Sequence, residues 1–124
     1  MGTQRAVGRG KELTALRYLR LQGLQLLQEN FGCPVGEIDL IMRDGHTVVF
    51  VEVRYRSQSR FGGAIESITM AKQRKIIRAA NTYLQRHPRL AKQPCRMDVI
   101  AMDDGQDAHE SIQWIQDAFQ APAW

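Results

Sequence analysis

The stretch Gly36-Glu37-Ile38-Asp39-Leu40-Ile41-Met42-Arg43-Asp44-Gly45-His46-Thr47-Val48-Val49-Phe50-Val51-Glu52-Val53-Arg54 decides how this chain folds. Residues 37–42 and 47–53 are rich in β-branched and aromatic side chains. The Asp44-Gly45 pair between them is a strong hairpin signal. Two antiparallel strands are therefore predicted here. Because side chains alternate across a strand, Ile38, Leu40 and Met42 share one face of the first strand, and Val49, Val51 and Val53 one face of the second. The opposite faces carry Glu37, Asp39 and Ile41, and Val48, Phe50, Glu52 and Arg54.

With an even number of loop residues, the apolar rows join on one side and Asp39 and Glu52 share the other. A two-residue loop at Asp44-Gly45 sets Asp39 against Phe50 and leaves Glu52 on the diagonal, about 7–8 Å away between α-carbons; a four-residue loop sets Asp39 directly opposite Glu52, at about 5 Å. In both registers two carboxylates lie together beside Ile41, Val48 and Phe50. Carboxylates this close repel unless a proton or a cation intervenes. A hard divalent ion, Mg²⁺ or Mn²⁺, meets that need, since it takes a few carboxylates and keeps several waters. It would polarise a phosphate oxygen and acidify an attacking water. Arg54, on the face of Glu52, stands where a phosphate needs a cation. The competing reading is a solvated strand face with Glu52 and Arg54 as a surface pair. Against it stands the cost of a charge inside so apolar a run as Val48–Val53.

Outward from the hairpin, Lys11–Leu21 has Leu13, Leu16, Leu19 and Leu21 at near-helical spacing, with Gly23 as the stop. Leu24–Asn30 reads as extended and Gly32-Cys33-Pro34 as a turn. Ser57–Gly63 reads as a mobile loop. Thr69–His87 reads as a long helix with Ile76, Ile77, Ala80, Tyr83 and Leu84 on its core face and Pro88 closing it. Arg96–Met102 and Glu110–Ile115 read as strands, and a short helical piece is expected over Gln116–Phe119. The alternation predicts one α/β domain over residues 1–124, a central mixed sheet flanked by helices in αβββαβ order, with residues 1–9 flexible.

The 124 residues are 44% hydrophobic and 24% charged, which argues against a disordered or fibrous chain. There is no apolar segment of transmembrane length and no secretory h-region, so no membrane partner and a cytoplasmic location are expected. Cys33 and Cys95 form no C-x-x-C pair and read as free thiols, and His46, His87 and His109 lack zinc-ligand spacing. Charge is divided along the chain: up to Arg96 there are 17 basic and 7 acidic residues, a net +10, and beyond it 6 acids and no Lys or Arg. A body this basic favours a polyanionic partner such as nucleic acid. Arg56 and Arg60 beside the glycine loop, and Lys72, Lys75 and Arg78 along one helix stripe, are candidate phosphate contacts. A solvated helix face accounts for that stripe equally well.

Gly36-Glu37-Ile38-Asp39-Leu40-Ile41, then Phe50-Val51-Glu52-Val53-Arg54-Tyr55-Arg56, then Arg96-Met97-Asp98-Val99-Ile100, resemble the uncharacterised bacterial YraN family. Through it the chain is similar to the restriction-endonuclease-like PD-(D/E)xK superfamily and to Holliday-junction resolvases. The resemblance implies a restriction-endonuclease-like core and a Mg²⁺-dependent endonuclease acting on DNA, branched or damaged DNA included. Asp39 and Glu52 match the motif acids and metal ligands, Glu12 the further acid that resolvase-like members contribute, and the Val53 carbonyl an additional ligand. Lys72 and Gly62 match family positions with no assigned role, and Glu37 and Asp98 match positions better suited to a structural ion pair or hydrogen bond. The motif ends in Arg54 where the family has lysine. Arginine keeps its proton and cannot act as a base, yet it can steady charge on a phosphate. The alternative is therefore a nucleic-acid-binding protein with the nuclease fold and little or no cleavage. Resolving symmetric junctions would call for a homodimer.

Overall fold

The computed structural model describes residues 3–56, 68–103 and 111–120. Helix α1 (Thr3–Leu21) is followed by strands β1 (Gln25–Cys33), β2 (Gly36–Asp44) and β3 (Thr47–Arg56), helix α2 (Met70–Arg86), the short helix α3 (Pro88–Ala91), and strands β4 (Cys95–Asp103) and β5 (Ser111–Phe119). The strands form one five-stranded sheet in the order β1-β2-β3-β4-β5. Only β3 and β4 are parallel. Parallel neighbours need a crossover, and α2 lies in that connection. The fold is thus the predicted α/β arrangement around a mixed sheet.

The sheet is apolar on both faces because its central strands are covered twice. Leu40, Met42, Val49, Val51, Ile100 and Met102 pack against Ala15, Leu16 and Leu19 of α1. Ile41, Val48, Phe50, Met97 and Val99 pack against Ile76, Ala79, Ala80 and Tyr83 of α2. The sheet is therefore a middle layer between α1 and α2. Tyr83, expected on the core face of its helix, is buried there, edge-on to Phe31 and Phe50 and stacked on His87.

Several boundaries differ from the sequence reading. The first helix begins at Thr3, so residues 3–9, expected to be flexible, continue it. Pro88 opens α3 at its first turn, where its missing N–H costs nothing, rather than only ending α2. The helical piece expected over Gln116–Phe119 is instead the end of β5. Asp117 takes a positive φ of 52° there, and its N–H donates to Asp98 Oδ1 at 2.9 Å. A buried acceptor on β4 holds that segment extended. The predicted loop at residues 57–63 lies outside the described residues.

Asp98 is fully buried and fully partnered. Arg96 Nε donates to both its oxygens at 3.0 and 3.1 Å, and Trp114 Nε1 donates to Oδ2 at 2.9 Å. Arg96 also reaches Asp44 Oδ2 at 3.0 Å through Nη2, tying the turn end of β2 to β4. The structural use proposed for Asp98 is the one the fold makes of it. Removing it strands an arginine and two N–H donors. Asp98→Ala is expected to lower the unfolding free energy by about 3 kcal/mol or more, read from urea denaturation.

Candidate active site

The β2–β3 turn sets the geometry of everything at the other end of the hairpin. Asp44 pairs with Thr47 across Gly45-His46, and Gly45 has φ 63°, as the first residue of a tight hairpin turn requires. The turn thus lies one residue later than Asp44-Gly45, and the pairs Arg43–Val48 and Ile41–Phe50 follow. This is the second of the two registers considered above. The ladder closes at Leu40–Val51, so the next residues along are Asp39 and Glu52. Beyond this point the Val53 N–H is taken by a side chain, Asp39 Oδ2 at 2.8 Å.

Glu52 alternates with Val48 and Phe50 and so faces α2. It is only 5% exposed. Continuing the Leu40–Val51 register places Asp39 directly across from it. Two cations approach the same oxygen: Arg54 Nη1 lies 3.5 Å and Lys72 Nζ 3.7 Å from Glu52 Oε2. Burial pushes the Glu52 carboxyl up to about 8, with the neighbouring Asp39 charge adding to the rise and Lys72 and Arg54 opposing it. Asp39 is raised too, burial outweighing the Val53 N–H, the Glu52 hydrogen bond and Lys72. Nearby Glu37 adds to that rise. The two acids therefore titrate as a pair, and the shifts belong to the pair rather than to either residue alone.

Lys72 is the residue whose place the sequence reading missed. It was grouped with Lys75 and Arg78 on a helix stripe, but α2 brings it onto Glu52 while Arg78 is exposed to solvent. One signal existed. Thr69 caps α2, its hydroxyl accepting from Lys72 N at 3.1 Å, so Lys72 lies in the first turn. A cation is disfavoured there by the helix dipole, and its presence calls for a nearby acid. Arg54 lies where the alternation put it. Lys75 lines a cleft beside the site with Lys72. Glu12 lies on α1, whose buried side packs on the opposite sheet face. Among the described residues no three His, Cys, Asp or Glu side chains are gathered as a metal-binding group, so Glu12 does not join Asp39 and Glu52. Arg56 ends β3. Arg60 lies outside the described residues.

Fold and site together define an α/β protein carrying two adjacent acids, one of them buried, flanked by two cations. The chain belongs to the uncharacterised protein family UPF0102, whose profile matches residues 11–102. It is 48% identical over 121 residues to a UPF0102 protein of Stutzerimonas stutzeri, covering 98% of this chain and 100% of that one. It is 50% identical over 114 residues to a UPF0102 protein of Pseudomonas fluorescens, covering 92% of each. A UPF0102 protein of Pseudomonas entomophila is 50% identical over 113 residues, 91% of this chain and 92% of its own. The resemblance to an uncharacterised family, read from the GEIDLI and FVEV runs, is borne out. No helix of the described residues is long and apolar enough to cross a membrane.

The raised Glu52 pKa has a consequence for stability. Without a divalent ion, the folded chain keeps a proton up to about pH 8 that the unfolded chain releases near 4.5. The folded state then binds more protons than the unfolded one across that window, so stability falls as pH rises through it. Melting temperatures between pH 5 and 8.5 should decline for the wild type, and Glu52→Gln should flatten this part of the profile.

Proposed function

We propose that this protein is a divalent-metal-dependent nuclease with a restriction-endonuclease-like core, hydrolysing phosphodiester bonds in DNA. The observation that carries the reading is the Asp39–Glu52 pair: two acids side by side on adjacent strands, Glu52 buried and Asp39 half-buried, facing two cations. A structural ion pair needs one carboxylate, and Asp98 shows how this fold satisfies such a group completely. The Asp39–Glu52 pair is different: burial and the neighbouring Asp39 raise the Glu52 carboxyl to about 8, and Lys72 and Arg54 oppose that rise without cancelling it.

The donor set fits Mg²⁺ or Mn²⁺. Two carboxylates converge, and the arginine and lysine contacts to Oε2 are long enough to leave it available. When bound, such an ion supplies Lewis-acid polarisation of a phosphate oxygen and a more acidic water. The chain's own residues do the rest. The Val53 N–H holds the Asp39 carboxylate in one orientation. The buried side chains of Ile41, Val48 and Phe50 keep water from the inner side of the pair and strengthen the local electrostatics. The Lys72 ammonium, a point charge on a flexible stem, takes the place beside the second acid that the motif lysine would fill from position 54. The Arg54 guanidinium offers a planar fork to non-bridging phosphate oxygens. Departure from the motif at Arg54 therefore does not leave the site without an ammonium group.

A second reading, a nucleic-acid-binding protein of this fold with little or no cleavage, is favoured by one observation: Glu12 does not complete a three-acid group with the pair. The two readings separate in a nicking assay on branched and linear DNA with Mg²⁺ or Mn²⁺. Under the nuclease reading Asp39→Ala abolishes cleavage. Lys72→Ala lowers kcat by about 10²-fold, while Arg54→Lys stays within about tenfold of wild type. Wild-type protein that retains DNA in a gel shift yet never nicks it selects the second reading. A strong gain from Arg54→Lys with no loss from Lys72→Ala would return the lysine role to position 54.

A further inference from the structure

A cleft of about 360 Å³ opens next to the acid pair, between the β1–β2 turn and the first half of α2. Its walls are Cys33, Pro34, Val35 and Glu37 on the hairpin side and Lys72 and Lys75 on the helix side. We propose that this cleft seats a single unpaired nucleotide adjacent to the phosphate held at Asp39 and Glu52, so that the preferred substrate presents single-stranded nucleic acid at the cut site. The inference deepens the hydrolytic reading and rests on it for the identity of the neighbouring phosphate.

Three observations carry it. Lys72 belongs to both places, lining the cleft while its Nζ lies 3.7 Å from Glu52 Oε2, so a chain leaving the acid pair enters the cleft directly. The cleft is also a built feature. Gly36 approaches α2 so closely that a Cβ there would lie 2.8 Å from the Lys75 carbonyl oxygen, which fixes the turn against the helix and sets the cleft's width. Its chemistry is graded as one nucleotide requires. Lys72 and Lys75 supply cations for a phosphate, Pro34 and Val35 an apolar wall for sugar or base, and Glu37 an exposed acceptor for a base amino group. Val35 is 41% exposed, so its side chain is open to whatever enters the cleft. The volume sits at the small end of ligand pockets, roughly 300–1,000 Å³, which suits one nucleotide.

The test measures binding in EDTA, so that cleavage plays no part. Fluorescence anisotropy compares a labelled DNA duplex bearing a single-stranded tail with a blunt duplex of equal length. The tailed duplex should bind about tenfold tighter or more. Val35→Trp, which fills the cleft from an exposed position, should erase that preference and leave blunt-duplex affinity unchanged. Lys75→Ala should reduce the salt slope for the tailed duplex by about one. Cys33 provides a readout that needs no substitution. It is a free, half-buried thiol on the cleft wall, and its maleimide labelling, located by peptide mass spectrometry, should be slowed by the tailed duplex and not by the blunt one. Equal affinity for the two duplexes, or Cys33 labelling unaffected by the tail, overturns the inference. The two failures are distinguishable. A tail preference with no nicking under Mg²⁺ removes the nuclease reading alone, and nicking without a tail preference removes the subsite alone.

Discussion

The register of the β2–β3 ladder is the constraint on which the rest of this structure depends. It is set by the two-residue turn at Gly45-His46. A slip of one residue would send Glu52 to the face of α1, away from Lys72 and Asp39, and would turn Val49 and Val51 toward α2. Both sheet faces are apolar, so such a slip would disorder two cores at once. The acid pair is therefore held by the hydrophobic pattern of the whole hairpin rather than by its own contacts. That is how two acids with raised pKa values persist in the folded chain.

Among the described residues two acids are buried, Asp98 and Glu52, and the contrast between them is one of compensation. Asp98, on β4, accepts from an arginine, an indole and a backbone N–H, and every direction of its carboxylate is used. Glu52, one strand away and facing α2, has two distant cations and a second acid. Burial costs both groups solvation, but only Asp98 is fully compensated. The shortfall at Glu52 shows as a carboxyl raised to about 8, so that it holds its proton into the neutral range.

Much of this was legible in the sequence. Alternation placed Asp39, Glu52 and Arg54 on one face, and the apolar rows of Leu40, Met42, Val49 and Val51 on the other. Ile38 broke the pattern: it belongs to the α2-side core with Phe31, because the β1–β2 turn bends toward the helix where Gly36 meets Lys75. The turn position was misread by one residue because Asp44-Gly45 and Gly45-His46 both contain the glycine that a hairpin needs. Lys72 was out of reach of any local pattern, since its proximity to Glu52 follows from how α2 docks on the sheet. The end of β5 was misjudged for a similar reason: the acceptor that holds the Asp117 N–H lies 19 residues away, on β4. Short-range periodicity reports faces, whereas the meeting of faces is a property of the docked layers.

The hairpin is fastened unequally along its length. At the turn, Asp44 is tied through Arg96 to Asp98, a chain of short ionic hydrogen bonds rooted in the middle of the sheet. At the far end main-chain pairing stops, and a side chain stands in for the missing rung. The element behaves as a clothes-peg: its spring is the ionic cluster, and its jaws are the tips that bear the carboxyl groups. Any guest gripped there loads the jaws without disturbing the spring, which allows a small protein to remain folded while its working end gives way.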